Sequence, residues 1–165
     1  MIGNTGSGKT TVARAIAGRL EVPHIELDAL FWQPGWQQSA PDEFRERVIA
    51  ALGDQGWVVD GNYHTKLGTL VLEQADVIVW LDLPFRATFP RVLRRTLRRL
   101  RTRESLWGTN VESWRGVFFS RESLLWWALK SRLRLRRHFP SVLGAYPYVR
   151  LRSRREVERF VQESL

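Results

Sequence analysis

Gly3-Asn4-Thr5-Gly6-Ser7-Gly8-Lys9-Thr10 fits the pattern G-x-x-x-x-G-K-[ST] at every fixed position. The pattern has a physical reading. Glycines let successive backbone N–H groups turn inward around an anion, and a helix that starts at once aims its positive end at the same point. The lysine reaches toward the outer phosphates of a nucleotide, and the last hydroxyl is placed as a metal ligand. A loose glycine-rich terminus is the bland alternative, but the helix the pattern needs follows directly. Residues 10–20 have helical composition, with Val12, Ala13, Ile16 and Leu20 as the apolar positions. The stretch predicts a phosphate loop made of Gly3, Asn4, Thr5, Gly6, Ser7, Gly8, Lys9, Thr10 and Thr11.

Outward from the loop, short β-branched runs alternate with helical patterns, the signature of an α/β parallel sheet. Residues 24–27 read as a strand ending at Asp28, and Pro41 opens a helix carried by Phe44, Val48, Ile49 and Leu52. Trp57-Val58-Val59 reads as a buried strand ending in Asp60-Gly61, and residues 66–74 as a helix. Val77-Ile78-Val79-Trp80-Leu81 is the clearest strand, closed by Asp82 and Pro84. A last strand over 147–151 and a helix over 154–163 complete the pattern. Only Met1 and Ile2 precede Gly3, so the strand that should feed the loop is a stub. Either the chain is started late or the domain lacks most of its central strand; an upstream start would add apolar residues.

Between Pro84 and Tyr146 no strand pattern is visible, and four of the eight tryptophans fall there. The expectation is one domain over 1–165, with 84–146 as a helical lid-type insertion and mobile loops near 33–39 and 102–113. There is no cysteine, which excludes disulfides and thiolate metal sites. No apolar stretch approaches the roughly 18 residues of a membrane span, and the start does not read as a signal peptide. The cytoplasm is the expected compartment. The net charge is +9, and of 26 basic residues all but three are arginine. Anionic partners are implied, although arginine usage also follows base composition, so position must decide.

Leu27-Asp28-Ala29-Leu30-Phe31-Trp32 with Pro34-Gly35-Trp36, Val59-Asp60-Gly61-Asn62-Tyr63, and Trp80-Leu81-Asp82-Leu83-Pro84 accompany the loop. Together they resemble the adenylate-kinase-like nucleotide and small-molecule kinases. Within these, the chain looks most like the bacterial topology-modulation or adenylate-kinase-related proteins, over nearly its whole length. The resemblance implies a P-loop NTPase fold with a parallel sheet in order 2-3-1-4-5, helices on both faces, and ligands at the carboxyl ends of the strands. It implies ATP and Mg²⁺, and transfer of the γ-phosphoryl to a nucleotide or another small hydroxylated acceptor. Lys9 would hold the outer phosphates, and Thr10 with Asp60 would hold the metal, Asp60 through water. Asp28 stands where small-molecule kinases place an acceptor carboxylate, with helix capping as the competing role. Asp82 reads as a strand-end cap. One departure concerns the three residues after Asp-Gly: adenylate kinases have Phe-Pro-Arg, and here stand Asn62, Tyr63 and His64, which weakens AMP as acceptor.

Arg91, Arg94, Arg95, Arg98 and Arg99 fall at i, i+3, i+4, i+7 and i+8, one face of a helix that should meet an anion or water. Arg91 lies nine residues after Asp82 and Arg95 four later, matching two adenylate-kinase arginines, one on adenine and one on phosphate. Arg132 is a weaker match to a lid arginine that closes on the transferring group, and the backbone near Arg152 would edge the adenine. Trp57 and Trp80 read as core, Trp126-Trp127 as core or lid packing, and Phe31, Trp32 and Trp36 as an acceptor-pocket wall or plain packing. The rival function is a nucleic-acid-binding regulator, but no helix-turn-helix, RRM-like or KH-like pattern accompanies the arginines.

Overall fold

Glycine, proline and aspartate punctuate this chain closely, so its strands are short and its helices carry most of the length. The computed structural model describes residues 1–107, 110–112 and 124–163, with side chains for all of these except 124–132. β1 (Ile2–Gly3) enters the glycine loop, and α1 (Lys9–Leu20) leaves it. β2 (His24–Glu26) runs straight into α2 (Leu27–Phe31), and a small hairpin of β3 (Trp32–Gln33) and β4 (Gln37–Gln38) follows. α3 (Pro41–Leu52) starts on proline, carries Asp42 and Glu43 in its first turn, and buries Phe44, Val48 and Leu52 along one stripe. After β5 (Val58–Asp60) come α4 (His64–Leu67), β6 (Ile78–Leu81) and α5 (Phe85–Thr102). A second hairpin, β7 (Ser105–Leu106) with β8 (Asn110–Val111), precedes α6 (Leu124–Leu143), β9 (Tyr148–Leu151) and α7 (Arg154–Glu163).

β1, β6 and β9 form one parallel sheet and β2 with β5 another. Two backbone hydrogen bonds bridge them: Met1 N donates to Val59 O at 2.6 Å, and Gly61 N donates to Met1 O at 3.2 Å. All four residues of β6 are buried, as expected for a strand covered on both faces. Ile25, Leu27, Phe31, Phe44, Val48 and Val59 make the core between β2, β5 and α3. Trp80, Phe139 and Leu143 anchor α6 against the other part of the sheet. On the β6 edge, β1 pairs only with Trp80 and Leu81. Beyond it a cavity of about 680 Å³ is lined by Ile16, Trp57, Val58, Ile78, Val79 and Phe139, among others.

Three expectations are corrected here. The stretch after Pro84 does contain strands, since Ser105 pairs with Val111 and Leu106 with Asn110. Two-residue strands are too short to show alternation, and Trp107, directly after the first of them, sits at φ 44. The helix expected over 66–74 is only His64–Leu67, because Gly68 at φ 60 ends it, and turns follow. Asp28 does not close β2; it lies in the first turn of α2.

Candidate active site

Gly6 shows why the loop needs glycine. Its φ is 75, and a Cβ there would stand 2.5 Å from Val92 Cγ2 and 2.7 Å from Thr88 O, so α5 packs directly on the loop. Gly8, at φ 90, is the residue before α1, and no side chain caps that helix. The first N–H groups of α1 therefore face the hollow of the loop without a side-chain acceptor, as an anion site requires. Asn4 Oδ1 and Ser7 Oγ are buried there without hydrogen-bond partners. Lys9 folds its ammonium back onto the loop, donating to Gly3 O at 3.0 Å and Asn4 O at 3.3 Å. Burial pushes its pKa down, and Asp28 and Asp60 push the other way. Thr10 and Thr11 occupy the next two positions of the helix, Thr10 half-buried and Thr11 exposed. The loop's start is held by Asn62, whose Oδ1 accepts from Gly3 N at 3.0 Å and whose Nδ2 donates to Gly3 O at 2.6 Å.

Three carboxylates gather at the ends of β2 and β5. Asp60 is buried and meets His24 Nε2 at 2.9 Å. Asp28 accepts a hydrogen bond from the Tyr63 hydroxyl at 2.6 Å. Glu26 has its pKa raised, by burial first and then by Asp60 and Asp28, while the Trp107 side chain hydrogen-bonds it. All three carboxylates act electrostatically on Lys9. Asp82 is no strand-end cap. Fully buried, it pairs with Arg136 Nε at 2.6 Å and Arg150 Nη2 at 2.6 Å, and Arg150 lies 4.1 Å over the Trp80 ring.

The arginines of α5 do not share one environment. Arg91 is exposed, and its Nη1 lies 3.9 Å from where a Cβ on Gly8 would stand. Arg95 is turned inward with its Nε unpartnered; burial and the neighbouring Arg99 lower its pKa, while Glu112, Asp28 and Glu26 raise it. Arg99 meets an anion within the chain itself, pairing with Glu112 at 3.2 Å beside the second hairpin. Arg94 and Arg98 are exposed, and Arg98 meets Glu104 at 3.0 Å. Arg132 lies outside the residues whose side chains are described. Arg152 is exposed, and its backbone N–H is taken by Glu156 at the start of α7.

The two hairpins meet above the carboxylates. Trp36 N donates to Asn110 Oδ1 at 2.7 Å, Asn110 Nδ2 donates to Gln33 O at 3.0 Å, and Trp36 Nε1 donates to Val111 O at 3.1 Å. The indoles of Trp32, Trp36 and Trp107 follow one another edge to face, with centroids 5.6 and 5.9 Å apart. Trp36 and Trp107 both sit at positive φ, 59 and 44, a costly backbone for a bulky residue. The sequence alone assigns no role to Glu26, Trp107 or Asn110, and it offers Asn62 and Tyr63 only as part of a family-like motif that departs from Phe-Pro-Arg. Glu26, two residues before Asp28 at a strand end, was the one available signal.

Oxygen donors suit Mg²⁺, and a Thr10 hydroxyl with an Asp60 carboxylate is such a set, although His24 already engages one Asp60 oxygen. Among the described residues no three His, Cys, Asp or Glu side chains, the gathered carboxylates included, are placed to hold one metal ion together, so a cation here would draw its other ligands from phosphate and water.

Residues 1–58 match the family described as ATPase family associated with various cellular activities (AAA). Over 56 residues the chain is 41% identical to the shikimate kinase of Enterococcus faecalis (strain ATCC 700802 / V583), covering 33% of this chain and 32% of that enzyme. The match thus spans about a third of the length of that curated relative. No solved structure matches. The parallel α/β sheet, the helices and the matched loop fit a P-loop NTPase fold, and the two matches support a P-loop, kinase-like nucleotide-binding protein. No helix among the described residues is long and apolar enough to cross a membrane.

Proposed function

We propose that the chain is an ATP-dependent phosphotransferase that moves the γ-phosphoryl group to a hydroxyl of a small acceptor. The carrying observation is the convergence of an uncapped α1 behind the glycine loop, the Lys9 ammonium and the Asp28 carboxylate. In this reading the backbone of 3–11 cradles the phosphates, and Lys9 leaves its carbonyl partners for phosphate oxygens. Arg91 lies toward the nucleotide beside Gly8, and Arg152 borders the base. Asp28 orients the acceptor hydroxyl and takes its proton as the oxygen attacks the γ-phosphorus. The bond to the β–γ bridging oxygen then breaks, and ADP leaves. Arg95, with Arg132 from α6, meets the charge spread over the phosphoryl oxygens. Mg²⁺ held by Thr10 and Asp60 would neutralise charge between the β- and γ-phosphates.

The same reading orders the sheet β2-β5-β1-β6-β9, which the Met1 bonds to Val59 and Gly61 support, and treats 1–165 as one domain with 84–146 as its lid. It is adenylate-kinase-like and cytoplasmic in kind, with AMP disfavoured as acceptor because His64 stands where adenylate kinases have a guanidinium. The rival, a nucleic-acid regulator, needs a uniform arginine face, and Arg95 and Arg99 are drawn away from it. An acceptor screen with γ-labelled ATP, beginning with shikimate and other small polyols, tests the proposal. Label appearing on an acceptor supports it; duplex binding with a steep salt slope and no transfer to any acceptor would replace it with the rival.

A further inference from the structure

From the last residue of β5 to the first of α4, five consecutive residues are tied to five different places. Asp60 meets His24, Asn62 clamps Gly3, Tyr63 bonds Asp28, and His64 stacks at 5.1 Å on His138. Gly61, at φ 147, lets Leu27 approach so closely that a Cβ would stand 2.8 Å from it. The phosphate loop and the Asp28 carboxylate are thus held in one frame by adjacent side chains.

We propose that Tyr63 is the positioning residue of the acceptor side, holding one oxygen of Asp28 so that the other stays open to an incoming hydroxyl; this rests on the phosphotransferase reading above. The contact is short, 2.6 Å, as a hydroxyl-to-carboxylate bond should be. The ring is held edgewise, 4.9 Å from Phe31 and 5.1 Å from Phe44, so the hydroxyl has little freedom to swing. The neighbouring Trp32 side chain acts on the same phenol in the opposite sense to burial. Burial and Asp28 push the phenol above its ordinary range, so it remains a donor at any working pH. Asp28 lies within the electrostatic reach of Lys9 and Arg95, which would otherwise draw its carboxylate away from the acceptor. A neutral donor fixes the geometry without adding charge.

The test uses the full chain, Mg²⁺ and γ-labelled ATP with water as the probe acceptor, comparing wild type, Tyr63→Phe, Asp28→Asn and the double variant. Phenylalanine keeps the ring packing and removes only the hydroxyl. Tyr63→Phe should lower kcat about 10- to 100-fold with little change in the ATP KM, since misplacing a reacting group is costly. The double variant should be no slower than Asp28→Asn alone, because both changes act through one carboxylate. Carboxyl ¹³C NMR should show the Asp28 resonance moving in Tyr63→Phe while the Gly3 amide, clamped by Asn62, stays put. A wild-type kcat in Tyr63→Phe, multiplying losses in the double variant, or an unmoved Asp28 resonance would each overturn the assignment. Wild-type turnover in Asp28→Asn would instead sink the parent reading of Asp28.

Discussion

In the proposed reading the candidate site has a phosphate half and an acceptor half, and the two are built from different materials. The phosphate half is backbone: a glycine loop, an uncapped helix start and one lysine, all within residues 3–11. The acceptor half is side chain: Glu26, Asp28, Trp36, Tyr63, Trp107 and Asn110, brought together from three separated segments. Backbone recognition of phosphate is common to many proteins, whereas convergent side chains set what else can enter. The difference teaches where to expect generality and where to expect selectivity: changes in the first half should abolish turnover for every acceptor, and changes in the second should alter which acceptor is used.

The largest effect expected is that of Lys9→Ala. It should cut ATP turnover about 10²- to 10³-fold, the scale of losing one preorganised charge at the reacting group, and leave a cooperative unfolding transition. Wild-type turnover of labelled ATP in this variant would break the contrast at its root. Asn110→Ala comes next. It strands Trp36 N and Gln33 O inside the hairpin junction, so urea unfolding should report a loss of about 1–3 kcal/mol, and acceptor KM should rise with ATP KM unchanged. An equal rise in both constants would show that the halves are not separable. Arg95→Ala should lower kcat about tenfold, as removing a charged hydrogen-bonding group does, whereas Arg98→Ala should stay within about twofold because it is solvated. A full alanine series on α5, read for turnover and for duplex binding against salt, checks this; equal salt-sensitive losses across all five arginines would favour the nucleic-acid surface.

The smallest effect concerns Glu26. Its carboxyl is raised in the folded protein, so the folded state holds a proton more tightly than the unfolded one, and stability falls as pH rises through that interval. Glu26→Gln should therefore raise Tm slightly at neutral pH, with the gain vanishing once the pH drops below the ordinary carboxylate range. A Tm difference that is constant with pH would show that Glu26 is not strained by its neighbours.

How much of this was legible follows the same division. The loop could be read because its residues are contiguous and its glycines answer to backbone geometry, as Gly6 against Val92 and Thr88 shows. The parallel strands could be read because buried strands are apolar runs, and β6 is the clearest example. The hairpin of Ser105–Leu106 with Asn110–Val111 could not, since two residues carry no period. Nor could the fate of the arginines: Arg95, Arg98 and Arg99 share a helical face in sequence, but only tertiary structure brings Glu112 to Arg99 and leaves Arg98 in solvent. Asp82 reads like any aspartate at a strand end, and only the fold supplies the two guanidiniums that hold it.

The junction of the hairpins also provides a clock. The amide of Trp36 lies in a surface turn, where exchange with deuterated solvent is ordinarily fast, yet its hydrogen is spent on Asn110, 74 positions away in sequence. That amide can exchange only when the two hairpins part. Its deuteration rate therefore times this opening separately from global unfolding, and any molecule that closes over the carboxylates should slow it without touching the amides of β6.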